Sequence, residues 1–163
     1  DEILEKQVVS GIAYSRDEAQ ITLVDVHNQP GVAAAIFGPL AKADVNVDMI
    51  VQSTAANGKS TDISFTVAKN DFKRALQVIK NSGEELKFAD LLTDQTVVKI
   101  SVIGVGMRSH AGVAQKMFEI LAEKGINIHV ISTSEIKISV LISEEYTELA
   151  LRALHSAYGL ERR

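Results

Sequence analysis

One pattern is written twice in this 163-residue chain. The stretch PGVAAAIFGPLAKADVNVDMI, Pro30 to Ile50, returns 81 residues later as AGVAQKMFEILAEKGINIHVI, Ala111 to Ile131. Identities fall at Gly31/Gly112, Val32/Val113, Ala33/Ala114, Phe37/Phe118, Leu40/Leu121, Ala41/Ala122, Asn46/Asn127 and Ile50/Ile131. Val113, Met117 and Leu121, beside Ala114, Phe118 and Ala122, have the i, i+4, i+8 spacing of one apolar helix face. Val32, Ile36 and Leu40 match them in the first copy. Pro39 disturbs this helix, since an interior proline removes a hydrogen bond and crowds the preceding turn, so a kink or 3₁₀ turn is expected there.

Around each helix the same order of elements recurs. AQITLVDV and VVKISVIGV precede the helices as runs rich in branched residues, VNVDMIVQ and INIHVIST follow them, and TDISFTV and EIKISVLI come third. Asn57-Gly58 signals a hairpin in the first copy, whereas STSE must turn tightly in the second. A second helix then carries Phe72, Ala75, Leu76 and Ile79 in one copy, and Tyr146, Ala150, Ala153, Leu154 and Ala157 in the other. Ser143 reads as its N-cap and Gly159 as its C-cap in the second copy. Each unit is thus β-α-β-β-α and needs a fourth strand. ELKFADLL supplies one for the first unit, but only GLERR remains after Tyr158. KQVVSGIAYS, ahead of the first unit, is the spare strand, and we expect it to complete the second unit's sheet around an inserted first unit.

Composition removes several function classes. The net charge is −4 and the Lys and Arg residues are scattered singly, so the basic stripe of a nucleic-acid binder is missing. Exposed aromatics on a basic sheet, as RNA-binding βαββαβ modules need, are equally absent from a chain with 5% aromatic residues. There is no cysteine for thiol chemistry, disulfides or thiolate zinc sites. His27, His110, His129 and His155 have no HxxxH or HxH spacing, so no metal is expected. No apolar run reaches the roughly 18 residues that cross a bilayer, and DEILEKQ is not a signal peptide, which points to a cytoplasmic protein without membrane partners. A chain opening at Asp1 reads as a trimmed subunit or a piece of a longer polypeptide.

The residues that carry the repeat resemble a known family. PGVAAAIF with VNVDMI resembles an ACT domain, and the pair, with STSEIKISVLI and VGMRSHAGVAQKMF, resembles the regulatory region of aspartokinase. This resemblance implies an α+β fold of two ferredoxin-like βαββαβ ACT domains, the first inserted into the second. The expected bounds are residues 16–92 for the first and 1–15 plus 93–163 for the second. It further implies threonine and/or lysine as effector ligands, with no cofactor, and feedback control of aspartate phosphorylation. The implied partners are a second copy, in a homodimer through the ACT domains, and the aspartokinase catalytic domain or alpha subunit. Nothing in the chain resembles the kinase itself: there is no Gly-rich loop followed by Lys and Ser/Thr, and no Asp pair for Mg²⁺. A natural regulatory beta subunit and an excised regulatory fragment both fit.

A free amino acid offers its carboxylate to a receptor, and a helix N-terminus with unpaired N–H groups is a ready one. In DVHNQPGVA the N–H groups of Gly31, Val32 and Ala33 are candidates, with Asp25 for the ammonium and Asn28 or Gln29 to close the loop. GVGMRSHAGVA gives Met107, Ser109, His110, Gly112, Val113 and Ala114, with two extra residues and no acid matching Asp25. Asn46 and Asn127 read first as turn residues at the start of the second strand. The resemblance implies instead that Asn46, Val47, Asn127 and Ile128 complete a pocket across an ACT–ACT interface, and that Gln52 meets the effector's side chain. Asp48 either faces a lysine ammonium or is a solvated carboxylate.

Rival functions are weaker. GVGMRSHAG lacks the third glycine of a dinucleotide loop, with Ser109 in its place, and no acid ends the next strand. The remaining alternatives are an ACT regulatory subunit of another amino-acid biosynthetic enzyme and a purely structural dimerisation module.

Overall fold

The computed structural model describes residues 9–105 and 111–160, and they form two compact units. One unit spans Asp17–Gln95; the other joins Asp1–Arg16 to Thr96–Arg163.

The inner unit runs β2 (Ala19–His27), α1 (Val32–Lys42), β3 (Asp48–Thr54), β4 (Ser60–Val67), a 3₁₀ turn (Lys69–Asp71), α2 (Phe72–Asn81), the short α3 (Gly83–Leu86) and β5 (Asp90–Asp94). Its sheet has the order β3-β4-β2-β5, and every neighbouring pair is antiparallel. Alternation does the sorting. Ile21, Leu23, Ile63, Phe65 and Val67 point to one face, as strand geometry requires, and they cluster with Ile36 and Leu40 of α1 and Phe72, Ala75 and Ile79 of α2. Phe37 meets Phe65 edge-on, with centroids 5.2 Å apart. Burying each of these aliphatic side chains contributes about 1.5–3 kcal/mol.

The outer unit contains β1 (Val9–Ser15), β6 (Val97–Gly104), α4 (Ala111–Glu123), β7 (Val130–Thr133), β8 (Lys137–Ser143), a 3₁₀ turn (Glu144–Tyr146) and α5 (Thr147–Ala157). Its sheet order is β1-β6-β8-β7, again antiparallel throughout. β1 therefore takes the place that β5 holds in the inner unit, pairing Ile12 with Val102 and Tyr14 with Ile100. The orphan strand is accounted for: the first unit is inserted into the second. Val98, Ile100, Val102, Ile138, Val140 and Ile142 form this unit's core with Val113, Met117 and Leu121 of α4 and Ala150 and Leu154 of α5.

Several local expectations are corrected. Pro39 sits within a continuous α1, with no 3₁₀ turn; its missing N–H deprives one carbonyl, that of Ala35, of a helical donor. Only Glu85 and Leu86 of ELKFADLL are helical, as the end of α3, Lys87 follows as its left-handed C-cap, and the strand begins at Asp90 and continues to Asp94, past residue 92. Leu86 is 3% exposed in the core of the inner unit, and its burial holds the turn in helical form. β3 and β7 begin at Asp48 and Val130, so Asn46 and Asn127 precede their strands instead of opening them. Ser143 precedes the 3₁₀ turn and makes no side-chain cap; its hydroxyl lies 3.4 Å from His129 Nε2. Gly159 does end α5 in the left-handed region, at φ 70°.

Among the described residues no helix is long and apolar enough to cross a membrane.

Candidate functional site

The corner between β2 and α1 is built by two departures from regular geometry. The register of β2 against β4 shifts between Leu23 and Val26, and Asp25 stands in this bulge at φ 59°, a conformation Asp tolerates better than most residues. Its N–H leaves the ladder and donates to a carboxylate oxygen of Asp62 at 2.8 Å. Farther along, Gly31 caps α1 at φ 90° and ψ −3°. A β-carbon there would meet no atom within 4 Å, so the dihedral alone demands glycine.

Asn28 fastens the loop to the β3–β4 hairpin. Its N–H donates to the Lys59 carbonyl at 3.0 Å and its side-chain amide to the Gly58 carbonyl at 3.0 Å. The hairpin is shaped by Gly58 at φ 73° and by Asn57, whose Oδ1 accepts the Lys59 N–H at 2.9 Å.

The first turn of α1 supplies donors, but of the expected Gly31, Val32 and Ala33 the Val32 N–H is already engaged. Val32 gives its N–H to the Gln29 carbonyl at 3.2 Å, and Ala35 bonds the Gly31 carbonyl at 3.0 Å. The N–H groups of Ala33 and Ala34 make no hydrogen bond among the described residues. Ala34 had not been anticipated, because its place in the first turn follows from where the helix starts. No acidic side chain competes for these donors within the turn.

In front of the corner lies a cleft of about 600 Å³. Asp25, Gln29, Gly31 and Val32 line it, with Lys59 from the hairpin and Glu85 and Lys87 from the α3 region. Lys59, Glu85 and Lys87 were not foreseen. The hairpin and α3 are distant in sequence from the corner, and α3 was read as strand. Side chains of both signs lining one cleft at a helix start suit a small zwitterion, whose carboxylate and ammonium each need an opposite partner.

The remaining candidates of the inner unit are not among the cleft's walls. Ala33 is exposed in the first turn of α1. Asn46 is exposed and Val47 packs its side chain on the core. Asp48 accepts the N–H of Met49 at 2.8 Å, next to a bulge where Met49 has φ 47°. Gln52 is exposed on the edge strand β3, opposite Ile63.

The second corner is described only in part: Met107, Ser109 and His110 lie outside the described residues. Gly112, Val113 and Ala114 form the first turn of α4, with Gly112 exposed, Ala114 half-buried and the Val113 side chain fully buried in the core. Asn127 is exposed and Ile128 packs against the core cluster of its unit. Among the described residues no group of three or more His, Cys, Asp and Glu is placed to hold a metal ion.

The duplicated architecture agrees with comparisons to known proteins. The family model described as ACT domain matches residues 20–82 and 100–158. An aspartate kinase of Stutzerimonas stutzeri is 52% identical over 161 residues, which is 99% of this chain and 39% of that protein. The chain thus spans only 39% of the length of this relative, as it does of the aspartokinase of Pseudomonas aeruginosa, to which it is 50% identical. Among solved structures, one of aspartokinase alpha and beta subunits superposes with a TM-score of 0.87 at 49% identity, covering 93% of this chain and 99% of the matched one. The ligand-free regulatory subunit of aspartate kinase from Thermus thermophilus gives a TM-score of 0.87 at 39% identity, over 92% and 98% of the two chains. With two matched ACT repeats and near-complete coverage of a solved regulatory subunit, the chain belongs to the ACT-domain family, as a tandem-ACT regulatory region of aspartokinase.

Proposed function

We propose that this chain is a regulatory module without catalysis of its own, which binds threonine and/or lysine. The observation that carries the reading is the Asp25–Gly31 corner, where Asp25, Gly31 and Val32 line one cleft and the next two residues of the helix start, Ala33 and Ala34, keep unpaired N–H groups. The effector's carboxylate is received by Ala33 and Ala34 N–H groups, its ammonium by Asp25, and its other side is closed at an ACT–ACT interface. The loop before α4 performs the same task with a different side-chain set, and so selects differently.

The message passes to an aspartokinase catalytic domain or alpha subunit, as feedback inhibition of aspartate phosphorylation in lysine, threonine and methionine biosynthesis. A solved relative is described as aspartokinase alpha and beta subunits, which supports a catalytic partner. An effector that bridges two ACT units favours one quaternary arrangement, and only such differential binding shifts an equilibrium. Coupling of about 1–3 kcal/mol changes activity some five- to 150-fold. Association into a homodimer is supported by the edge strands, where Ile50 is 51% exposed, Val51 37% and Ile131 46%. The cytoplasm is the compartment where such a pathway enzyme works.

Titration calorimetry of the 163-residue chain tests this reading. Saturable heat with threonine or lysine is expected. Heat with valine or leucine alone points to a regulator of another pathway, and silence with all four amino acids points to a structural dimeriser.

A further inference from the structure

The tip of the β3–β4 hairpin sets an asparagine beside a glycine, and the fold presents the pair in a reactive arrangement. Residues 55–59 are all exposed. Lys59 N–H donates to Asn57 Oδ1 at 2.9 Å, so the side chain is folded back over its own backbone, as Asn does in turns. That fold brings Cγ of Asn57 toward the Gly58 nitrogen. Gly58, at φ 73°, has no side chain to shield this nitrogen, and the space beside its Cα is open. The other five asparagines lack such a neighbour: Asn28, Asn46, Asn70, Asn81 and Asn127 precede Gln, Val, Asp, Ser and Ile.

The chemistry needs only water. The Gly58 nitrogen, after giving its proton to solvent, attacks Cγ of Asn57; the N–Cγ bond forms, the Cγ–Nδ2 bond breaks, and Nδ2 takes up a proton and leaves as ammonia. Water then opens the resulting succinimide at one carbonyl to give aspartate, or at the other to give isoaspartate, whose backbone runs through the former side chain. One water is consumed and one ammonia released. The Lys59 N–H draws electron density from Cγ and faces the oxygen on which negative charge develops. The bond from Gly58 N–H to the Ala55 carbonyl, 2.9 Å, opposes the first step, but it lies at an exposed tip where local opening is easy.

We propose that Asn57 is a site of spontaneous covalent modification, deamidating through a succinimide to isoaspartate, and that this loosens the hairpin's hold on the loop leading to Gly31. Asn28 receives the change. Its N–H bonds the Lys59 carbonyl and its side-chain amide the Gly58 carbonyl, each at 3.0 Å. Isoaspartate inserts an additional carbon into the backbone just ahead of both acceptors, inside a turn closed by the Ala55 N–H on the Ser60 carbonyl at 2.8 Å. The lengthened turn cannot keep all these partners in register. The new carboxylate also stands near Lys59, one of the charges lining the cleft. None of this depends on which ligand the cleft takes.

The 163-residue chain, held in warm, mildly alkaline buffer and mapped by mass spectrometry, should lose the amide of Asn57 while the other five asparagines keep theirs. An isoaspartyl methyltransferase should label the product. In the converted protein, hydrogen exchange should quicken severalfold at the amides of Asn28 and Lys59 and stay unchanged in β1 and β6. Asn57→Asp adds the charge without the extra backbone carbon, and its Asn28 amide should exchange as in wild type. Gly58→Ala, strained by its φ but uncrowded, should slow conversion severalfold. If that variant fails to fold, Asn57→Gln, which would have to close a larger ring, makes the same check. An Asn57 amide that survives as long as those of Asn46 and Asn127 overturns the proposal, as does a product that is aspartate alone. Unchanged exchange at Asn28 after conversion overturns the loosening.

Discussion

The backbone N–H of Asp25 is held by the carboxylate of Asp62, 2.8 Å away, across the bulge between β2 and β4. That contact keeps Asp25 at φ 59° and off the regular ladder. Asp62→Ala removes the acceptor and should cost about 1 kcal/mol in chemical denaturation. It should also weaken effector binding at the first corner. Asp62→Asn, which keeps an acceptor oxygen, should be milder in both measurements.

Asp25→Gly separates backbone from charge. Glycine relieves the left-handed conformation but adds freedom to the unfolded chain, and the two effects are of similar size. Stability should stay within about 1 kcal/mol of wild type, while calorimetry should record the loss of effector affinity at that corner. A residue kept for folding alone would show the opposite pattern.

Gly31→Val tests the cap. Its neighbourhood is open, so the cost arises from φ 90° and not from collision. The variant should fold, with a penalty of about 1–2 kcal/mol, and should no longer bind effector at the first corner. Circular dichroism with a thermal melt checks the first statement and calorimetry the second.

Both first helices end in the same way, which yields a stabilising change. Asp44 N–H bonds the Ala41 carbonyl and Val45 N–H the Leu40 carbonyl, as Gly125 and Ile126 do with Ala122 and Leu121. Asp44 has φ 61° where the other copy has glycine at φ 71°. Asp44→Gly should therefore raise stability by roughly 0.5–1 kcal/mol, seen as a higher denaturation midpoint at constant m-value.

Much of this fold was legible because the duplication places its identities where packing demands them. Leu40 and Leu121 are both fully buried in the cores of their units, and a 3.6-residue period with a known partner copy leaves little ambiguity. The position of β1 followed from counting strands: one unit had none left to close its sheet. Boundaries were less readable. ELKFADLL has the composition of a strand, yet Glu84 and Glu85 lie in the first turn of α3, where tertiary packing of Leu86 decides the outcome. The corner was legible at Gly31, since glycine before a helical stripe has a conformational reason. Lys59, Glu85 and Lys87 were not, because they reach the cleft through the tertiary fold. Nor does the sequence disclose that Val32 spends its N–H on Gln29, a matter of where the turn closes.

The most direct test of the central claim is a crystal structure of this chain grown with threonine and with lysine. The account predicts an amino acid at the first corner, its carboxylate within hydrogen-bond distance of the Ala33 and Ala34 N–H groups and its ammonium beside Asp25. A cleft holding only solvent at saturating concentrations of both, or an amino acid bound with its carboxylate turned away from α1, would contradict it.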